Sequence, residues 1–224
     1  SVREKNLKAL VTAGPTREYI DPIRYISNES SGKQGYEIAI ALTKLGIKTT
    51  LITGPSKLVS PKGIKVKKIV SADEMLNEVK KTLPVDLAVC TAAVTDVKPS
   101  EKIKNKIKKD KLNFKSINFI KNKDILDFLS KNNRCRPQVV AGFSAETKDV
   151  IKNSIRKMKN KNCDLMFAND VSKKDIGFNS DFNKVSVIDQ KGNVKIIQKN
   201  KKSFIANKIA QILLNKLVDD RNIN

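Results

Sequence analysis

Hydrogen-bond donors are concentrated in the polar segment that joins an apolar run ending at Gly14 to an amphipathic helix opening at Gly32. The donors suit phosphate or carboxylate groups and are Thr16, Arg17, Arg24, Asn28, Ser30, Ser31 and Lys33. A helix start points free backbone N–H groups and the positive end of the helix dipole at the same place. The segment has about 18 residues, whereas strand-to-helix loops usually have about 2–6. We therefore interpret it as a functional anion site on an α/β scaffold.

The residue spacing in this loop matches neither of the two common phosphate-binding motifs. A Walker A loop ends in Gly-Lys followed by Ser or Thr, but Gln34 follows Lys33 here. The dinucleotide fingerprint needs three closely spaced glycines directly after the strand, and Gly14, Gly32 and Gly35 are too far apart. The pattern predicts an anion site without naming the anion.

Composition narrows the class of protein. The 224 residues suffice for one substantial domain, which we assign to 1–224. They contain no apolar run of transmembrane length, and we expect no signal peptide because the first residues are polar. Cys90, Cys135 and Cys163 show no CxxC spacing, and Cys90 and Cys163 lie in or beside apolar strand segments, which indicates that these two are packed thiols in a reducing cytosol. We expect a cytoplasmic protein without membrane association. The absence of histidine excludes Ser-His triads, His-metal sites and His general bases.

The formal charge of +22 raises the alternative of a basic nucleic-acid-binding module. Against it, the lysines are spread through every segment, and the chain has 5% aromatic residues and no Trp for base stacking. We therefore expect a general affinity for polyanions and no specific nucleic-acid partner.

Strand and helix patterns alternate along the chain, which predicts an α/β fold with a mainly parallel, doubly wound sheet and helices on both faces. The predicted strands are Leu7–Ala13, Lys48–Thr53, Val66–Val70, Asp86–Ala93, Gln138–Gly142 and Asp164–Ala168. The predicted helices are Lys33–Leu45, Ala72–Thr82, Lys123–Ser130, Thr147–Lys161 and Lys201–Leu217.

Two segments interrupt this alternation. The lysine-rich stretch at about 97–111 predicts a mobile flap, which runs into extended chain at Leu112–Ile120. Period-2 apolar positions in Asn183–Gln198 predict a β-hairpin. We expect the hairpin to form a small antiparallel lobe, and the strand edges of both segments to pair in a homodimer.

Polar residues follow several predicted strands, at the edge where ligands bind in open parallel sheets. They lie in Gly14–Thr16, Ala92–Asp96, Phe143–Thr147 and Asn169-Asp170. Asp96 is a turn or cap residue in one interpretation. In the other, it contacts a ribose hydroxyl or a Mg²⁺–phosphate group.

Seven motifs occur in order over about Leu7–Leu217: VTAGPTRExIDPIRYISNxSSGKxG, AAVxD, KIKK, NxDIL, GFSAET, ANDV and GFNSD. This pattern closely resembles bacterial phosphopantothenoylcysteine synthetase (phosphopantothenate–cysteine ligase), in many bacteria the C-terminal half of a bifunctional coenzyme A biosynthesis protein. The resemblance implies a Rossmann-like, three-layer αβα dimer that condenses 4′-phosphopantothenate with L-cysteine. It also implies CTP with Mg²⁺, an acyl-cytidylate intermediate, and release of pyrophosphate and then CMP. No flavin is expected in this segment, although a flavin-dependent decarboxylase domain can precede it in the native chain.

The resemblance also implies catalytic roles. Asn28 serves the attack of the cysteine amine, since a side-chain amide can donate to a developing oxyanion, which is worth on the order of 10²–10³ in rate. Arg24 has a fork suited to phosphate. Lys106, the first residue of KIKK, meets the α-phosphate, and we prefer it to Lys102 because it completes the motif. The substrate and phosphate site comprises Gly14, Thr16, Arg24, Asn28, Ser31, Gly32 and Lys33.

By the same resemblance, CTP contacts Thr91, Ala92, Ala93, Asp96, Lys106, Lys123, Asp124, Ile125, Leu126, Phe143, Lys157 and Lys161. Asp96 is the candidate Mg²⁺ ligand. Val97, Lys98 and Lys123 replace an aromatic residue, Arg and Pro that are usual in the family. The runner-up enzyme is an NAD(P)-dependent Rossmann reductase. The missing glycine fingerprint and the lack of an acidic residue after the second strand argue against it.

Overall fold

The structure, a computed structural model, describes residues 6–107, 117–132, 134–177 and 179–222. Its strands are β1 Lys8–Ala13, β2 Arg17–Tyr19, β3 Tyr25–Ser27, β4 Lys48–Thr53, β5 Lys65–Lys68, β6 Leu87–Cys90, β7 Val97–Pro99, β8 Phe119–Lys121, β9 Val139–Glu146, β10 Leu165–Asp170, β11 Phe182–Asp189 and β12 Val194–Lys201. Its helices are α1 Lys33–Lys44, α2 Ala72–Thr82, α3 Ile125–Ser130, α4 Val150–Lys161 and α5 Lys202–Asn222. Within these described ranges, no helix is both long and apolar enough to cross a membrane.

Eight strands form one mixed sheet in the order β12-β11-β10-β9-β6-β1-β4-β5. The six strands from β10 to β5 are parallel, and β1 lies between β4 and β6. Chain connections therefore leave β1 and β6 in opposite directions. This topological switch point opens a crevice beyond their carboxyl ends, where open α/β sheets bind ligands.

Helices cover both faces of the sheet, because successive side chains of each buried strand alternate between two apolar layers. Val11 and Val89 face α1 and α5 in one layer, whereas Leu10 and Ala88 face α2, α3 and α4 in the other. Burying one large apolar side chain such as Leu42 contributes about 1.5–3 kcal/mol, so the two layers hold the strand ends in place. The predicted three-layer α/β class is confirmed.

The C-terminal hairpin is present, but it belongs to the main sheet instead of forming an appended lobe. β11 pairs antiparallel with β10, and β12 pairs antiparallel with β11. Val185 and Ile197 also join the apolar layer under α5. Pairing with the otherwise open edge of β10 satisfies the backbone groups of both strands. The lobe is therefore a continuation of the sheet.

Short hairpins replace two stretches expected to be irregular. β2 and β3 pair within the long loop after β1, and β7 pairs with β8 at the base of the lysine-rich flap. The end of the predicted flap, 108–111, and most of the predicted extended segment, 112–116, lie outside the described residues.

Candidate active site

The loops after β1 and β6 stay joined beyond the sheet. Pro15 and Ala93 form an isolated parallel bridge, the Ala93 N–H donates to the Gly14 carbonyl at 2.9 Å, and the Thr16 N–H donates to the Ala93 carbonyl at 3.3 Å. These bonds fix the floor of the crevice at the switch point.

The start of α1 lies directly on this floor. A Cβ on Gly35 would stand 2.3 Å from Oγ1 of Thr91 and 2.6 Å from Cβ of Ala13, so only glycine allows this approach. Gly32 caps the helix with φ of 78°, a left-handed conformation that glycine adopts at little cost. The Gly32–Gly35 motif therefore places the helix N-terminus over the strand ends.

A first cavity of about 440 Å³ opens between this helix start and the N-terminus of α5. Four of the predicted substrate residues line it, namely Asn28, Ser31, Gly32 and Lys33. The Asn28 side-chain amide donates to the Val94 carbonyl at 3.3 Å, which ties the loop after β1 to the loop after β6. Thr91, Ala93, Asn169, Asn183 and Lys202 also line this cavity.

A second cavity of about 400 Å³ lies on the side of the sheet that α3 and α4 cover. Residues predicted to bind CTP supply much of its lining, including Lys123, Asp124, Ile125, Leu126 and Lys161. Val97, where the resemblance noted in the sequence implies an aromatic residue, lines this cavity as well. Lys98 turns to Asp73, with 2.7 Å between its ammonium nitrogen and a carboxylate oxygen.

The two cavities share a wall at the carboxyl ends of β6 and β9. Ala92, Val94, Asp96, Phe143 and Lys157 line both cavities. A ligand in each cavity could therefore bring one reacting group to this wall. The wall presents one carboxylate and one ammonium group, from Asp96 and Lys157.

Asp124 and Lys161 form the charged rim of the second cavity. Asp124 caps α3 by accepting the Asp127 N–H at 2.9 Å, and its other oxygen pairs with the Lys161 ammonium. Burial alone would raise the pKa of Asp124, but the hydrogen bonds from Lys161 and the Asp127 N–H, together with the positive charges of Lys161 and Lys157, outweigh it and lower the pKa. The same bond raises the pKa of Lys161, so this ammonium stays charged beside Lys157. The pair itself is neutral, but the cavity lining has Lys121, Lys123, Lys157 and Lys161 against Asp96 and Asp124, so its net charge is positive and suits phosphate groups.

Two of the three cysteines are packed thiols, as predicted. Cys90 and Cys163 contact the apolar layer under α2, α3 and α4. Burial raises the pKa of Cys90 to about 12 and that of Cys163 to about 11. Both thiols therefore remain protonated at neutral pH and are poor nucleophiles.

Sequence comparison identifies the family of this chain. The model described as DNA/pantothenate metabolism flavoprotein C-terminal domain matches residues 4–217. The chain belongs to this family. The coenzyme A biosynthesis bifunctional protein CoaBC of Borreliella burgdorferi is 40% identical over 211 residues, which cover 93% of this chain and 53% of that protein. CoaBC of Escherichia coli K12 is 38% identical over 227 residues, covering 97% and 54%. The chain thus spans about half the length of the curated relatives it matches.

Solved structures agree with the family assignment. The crystal structure of the C-terminal domain of CoaBC superposes with a TM-score of 0.79 at 32% identity, covering 95% of this chain and 96% of that one. The H337A variant of Cab2 in complex with phosphopantothenate-cysteine gives a TM-score of 0.77 at 13% identity, covering 98% and 89%, and this likeness concerns the fold alone. The family predicted from the seven motifs is confirmed.

Some predicted site residues of this family member lie outside both cavities. Gly14 and Thr16 are buried in the floor and act on the site through the backbone bonds already described. Arg24 lies on the β2–β3 hairpin, where its guanidinium pairs with Asp21 at 2.5 Å. Lys106 is exposed on the flap. The structure therefore assembles much of the predicted site but separates Arg24 and Lys106 from it.

Asp21 joins the hairpin to the flap. Its buried carboxylate accepts the backbone N–H groups of Ile23 at 2.9 Å, Arg24 at 2.7 Å and Ile107 at 3.3 Å. Burial alone would raise the pKa of Asp21, but these donors and the Arg24 side chain outweigh it and hold the pKa well below its usual range. One ionised carboxylate therefore connects the two segments that carry Arg24 and Lys106.

The sequence prediction missed three lining residues of the first cavity that hydrogen bonds join to one another: Lys202, Gln34 and Asn183. Lys202 follows the second strand of the hairpin, and its position depends on how α5 packs against α1. A sequence pattern records no such packing. The usable signal was weaker: Lys202 is the second residue of the predicted amphipathic helix Lys201–Leu217.

Proposed function

We propose that this chain ligates 4′-phosphopantothenate to L-cysteine at the expense of CTP, through an acyl-cytidylate, in coenzyme A biosynthesis. The observation that carries the proposal is the pair of cavities that share one wall. One cavity has the donors of the Gly32–Gly35 loop for a phosphorylated acid, and the other has a lysine-rich lining that includes Lys157 and Lys161 for a nucleotide. The relatives, named as coenzyme A biosynthesis proteins, support the same assignment.

In the first half-reaction, a carboxylate oxygen of phosphopantothenate attacks the α-phosphorus of CTP. A P–O bond forms to the acid, and the P–O bond to the leaving pyrophosphate breaks. Two anions must approach each other, so cations near the shared wall lower the barrier by offsetting their repulsion. Lys157 is at that wall, and we assign Lys106 to the α-phosphate. Because Lys106 and Arg24 lie outside the cavities, their contacts require the flap and the β2–β3 hairpin to close over the bound substrates.

In the second half-reaction, the cysteine amine attacks the acyl carbon. A C–N bond forms, the C–O bond to CMP breaks, and the amine releases its proton to water. Negative charge develops on the carbonyl oxygen during this attack. The Asn28 amide lines the first cavity next to Val94 of the shared wall. It is our candidate for the donor that stabilises this oxyanion.

Mg²⁺ accompanies CTP in this proposal. The ion binds nucleotide phosphates and waters together with few carboxylates, and Asp96 of the shared wall is the carboxylate that fits. Among the residues described, no three Asp, Glu or Cys side chains form a metal-binding cluster. This fits an ion that the nucleotide brings. The bifunctional relatives, about twice as long as the matched region, support a fused flavin-dependent decarboxylase domain in the native protein.

The test is pyrophosphate release by the purified chain with 4′-phosphopantothenate, L-cysteine and Mg²⁺, comparing CTP with ATP. We expect release with CTP that depends on phosphopantothenate, and formation of 4′-phosphopantothenoylcysteine when cysteine is added. Release of pyrophosphate with ATP but not with CTP would overturn the nucleotide assignment. Absence of product with either nucleotide would overturn the proposed function.

A further inference from the structure

A buried carboxylate supports the lining of the second cavity. Glu18, the middle residue of β2, is only 6% exposed, although glutamate is almost never fully buried without partners. Its Oε1 accepts the Ala72 N–H, at the start of α2, and the Asn122 side-chain amide, each at 3.0 Å. Asn122 in turn lines the second cavity. One carboxylate oxygen therefore connects β2 and α2 to the lining of the proposed nucleotide site.

The contact with Glu18 fixes the orientation of the Asn122 side chain, because a carboxylate can only accept hydrogen bonds. The amino group of Asn122 donates to Glu18 and to the Thr95 carbonyl, each at 3.0 Å. Its carbonyl oxygen therefore points the other way, where it accepts the Lys123 N–H at 2.9 Å. The Asn122 backbone N–H also donates to the Asp96 carbonyl at 2.8 Å. Asn122 thus joins two loops, and Glu18 holds it in the orientation that does so.

Both of the joined loops belong to the proposed nucleotide site. Thr95 and Asp96 line the second cavity from the loop after β6, and Lys123 and Asp124 line it from the loop between β8 and α3. The hydrogen bond between Asn122 and Thr95 spans 27 residues of sequence. A bridge of this kind keeps the two loops in place before the nucleotide binds, which lowers the ordering cost of binding.

The start of α2 has other hydrogen-bond acceptors besides Glu18. Ser71 caps the helix by accepting the Glu74 N–H at 3.2 Å, and the Glu74 carboxylate accepts the Val70 N–H at 2.9 Å. We propose that Glu18 is a positioning residue for the nucleotide, which acts through Asn122 to hold both loops in the conformation that binds CTP. This inference rests on the proposed function for the identity of the nucleotide.

The experiment is calorimetric titration of the whole chain with CTP and Mg²⁺, and separately with 4′-phosphopantothenate. In Glu18→Ala, the Asn122 amide and the Ala72 N–H lose a buried acceptor, so the loops shift until water reaches these donors. CTP must then reorder the loops, and we expect its affinity to fall about tenfold. The affinity for phosphopantothenate should stay close to that of wild type. Glu18→Gln keeps an oxygen acceptor and should retain most of the CTP affinity.

Glu74→Ala is the matched control, because it also removes a glutamate that accepts a backbone N–H beside the start of α2. Thermal unfolding of the same variants measures their stability. Both alanine variants should lower the midpoint, whereas only Glu18→Ala should weaken CTP binding. Equal weakening of both ligands in Glu18→Ala, or an equal loss of CTP affinity in Glu74→Ala, would assign Glu18 a structural role and overturn the inference.

A double-mutant cycle tests whether Glu18 acts through Asn122. Adding Glu18→Ala to Asn122→Ala should cause no further loss of CTP affinity, since residues that act through one another are not additive. Additive losses would overturn the inference. If Glu18→Ala does not fold, Glu18→Asp takes its place, because it keeps the carboxylate but withdraws it by one methylene. An unchanged CTP affinity in that variant would also overturn the inference.

Binding is measured without turnover, so the inference and the proposed reaction can fail separately. A wild type that binds CTP, shows the Glu18 effect and forms no product would refute only the reaction. A wild type that forms product while Glu18→Ala binds CTP normally would refute only the inference. A wild type that binds no CTP would refute the nucleotide assignment and this inference with it.

Discussion

Asn28 is placed where its side-chain amide can act in the second half-reaction without taking part in the first. Its amide group donates to Val94 of the shared wall, and an aspartate at this position cannot donate. We expect Asn28→Asp to activate phosphopantothenate with CTP, yet to accumulate acyl-cytidylate, with a loss on the order of 10²–10³ in the second step. Labelled CTP and rapid quenching measure the intermediate. Asn207→Asp, an exposed amide on α5, is the control, and an Asn28→Asp variant that binds no CTP would show a structural role.

Lys106 tests both the mechanism and the alignment of the flap motif. If its ammonium meets the α-phosphate, Lys106→Gln should fold normally and lose mainly cytidylate formation, since a hydrogen bond to a charged group is worth about 1.5–3 kcal/mol. Lys102 lies over the Tyr19 ring at 5.7 Å, so Lys102→Gln should change this step little. Single-turnover release of pyrophosphate distinguishes the two variants. The reverse result would mean that the motif is aligned four residues out of place.

Asp21 should make the flap sensitive to acid. Its pKa is lower in the folded chain than in the unfolded chain, so it stabilises the fold above the unfolded value of about 3.9. This contribution is lost as the pH falls through the folded value. We expect Asp21→Asn to lower the melting temperature at pH 7, and the difference from wild type to narrow below about pH 4. The exposed Asp219→Asn is the control. A difference that stays constant from pH 7 to pH 3 would contradict the role of the ionised carboxylate.

Residues of the site were predictable where they follow strands and not where helix packing brings them. Asp96 and Phe143 could be placed because the carboxyl ends of parallel strands meet at one edge. Lys202 and Asn183 are distant in sequence from the loops after β1 and β6 that line the same cavity. Only the packing of α5 on α1 and the pairing of β11 with β10 bring them there. Local periodicity carries no information on that pairing.

At the scale of elements, Gly35 couples the start of α1 to the ends of β1 and β6. Gly35→Ala would place a Cβ within 2.3 Å of the Thr91 hydroxyl, so the helix start must shift. We expect the free energy of unfolding to fall by about 1–3 kcal/mol, as for other overpacked sites, and substrate binding to weaken. Urea unfolding measures the loss. Lys44→Ala, exposed at the other end of α1, should stay within about 0.5 kcal/mol, and an unchanged Gly35→Ala variant would refute the close packing.

The observed ends of helices and strands show which of them local sequence patterns can predict and which they cannot. Helix α1, helix α2 and strand β4 match their predicted spans closely because strong periodicity decides them. The helix predicted from Thr147 begins only at Val150, since Ser144 and Glu146 extend β9 through pairing with Ala168 and Asp170 of β10. Partners more than 20 residues away in sequence decide such ends. The short β2–β3 and β7–β8 hairpins escaped prediction because three-residue strands show almost no periodicity.

At the scale of the whole molecule, the strand edges favour association. β12 ends the sheet with Val194 and Ile196 exposed at 42% and 49%. On the β7–β8 hairpin, Phe119 and Ile120 are exposed at 47% and 46%. An open edge with apolar side chains is a template for pairing with a second chain. The high positive charge opposes non-specific aggregation, so a closed, symmetric pair is the expected product.

We therefore predict a homodimer with twice the 25.0 kDa mass of the chain, measured by light scattering at micromolar concentration. Ile196→Lys and Phe119→Lys each place a charge on one of the two edges, and the variant that shifts the mass to the monomer identifies the edge that pairs. Val59→Lys, at an 88% exposed loop position, is the control and should leave the mass unchanged. A monomeric wild type would refute the prediction. A dimer that survives both edge substitutions would place the interface elsewhere, because a lysine opposite its own copy in a two-fold interface repels it.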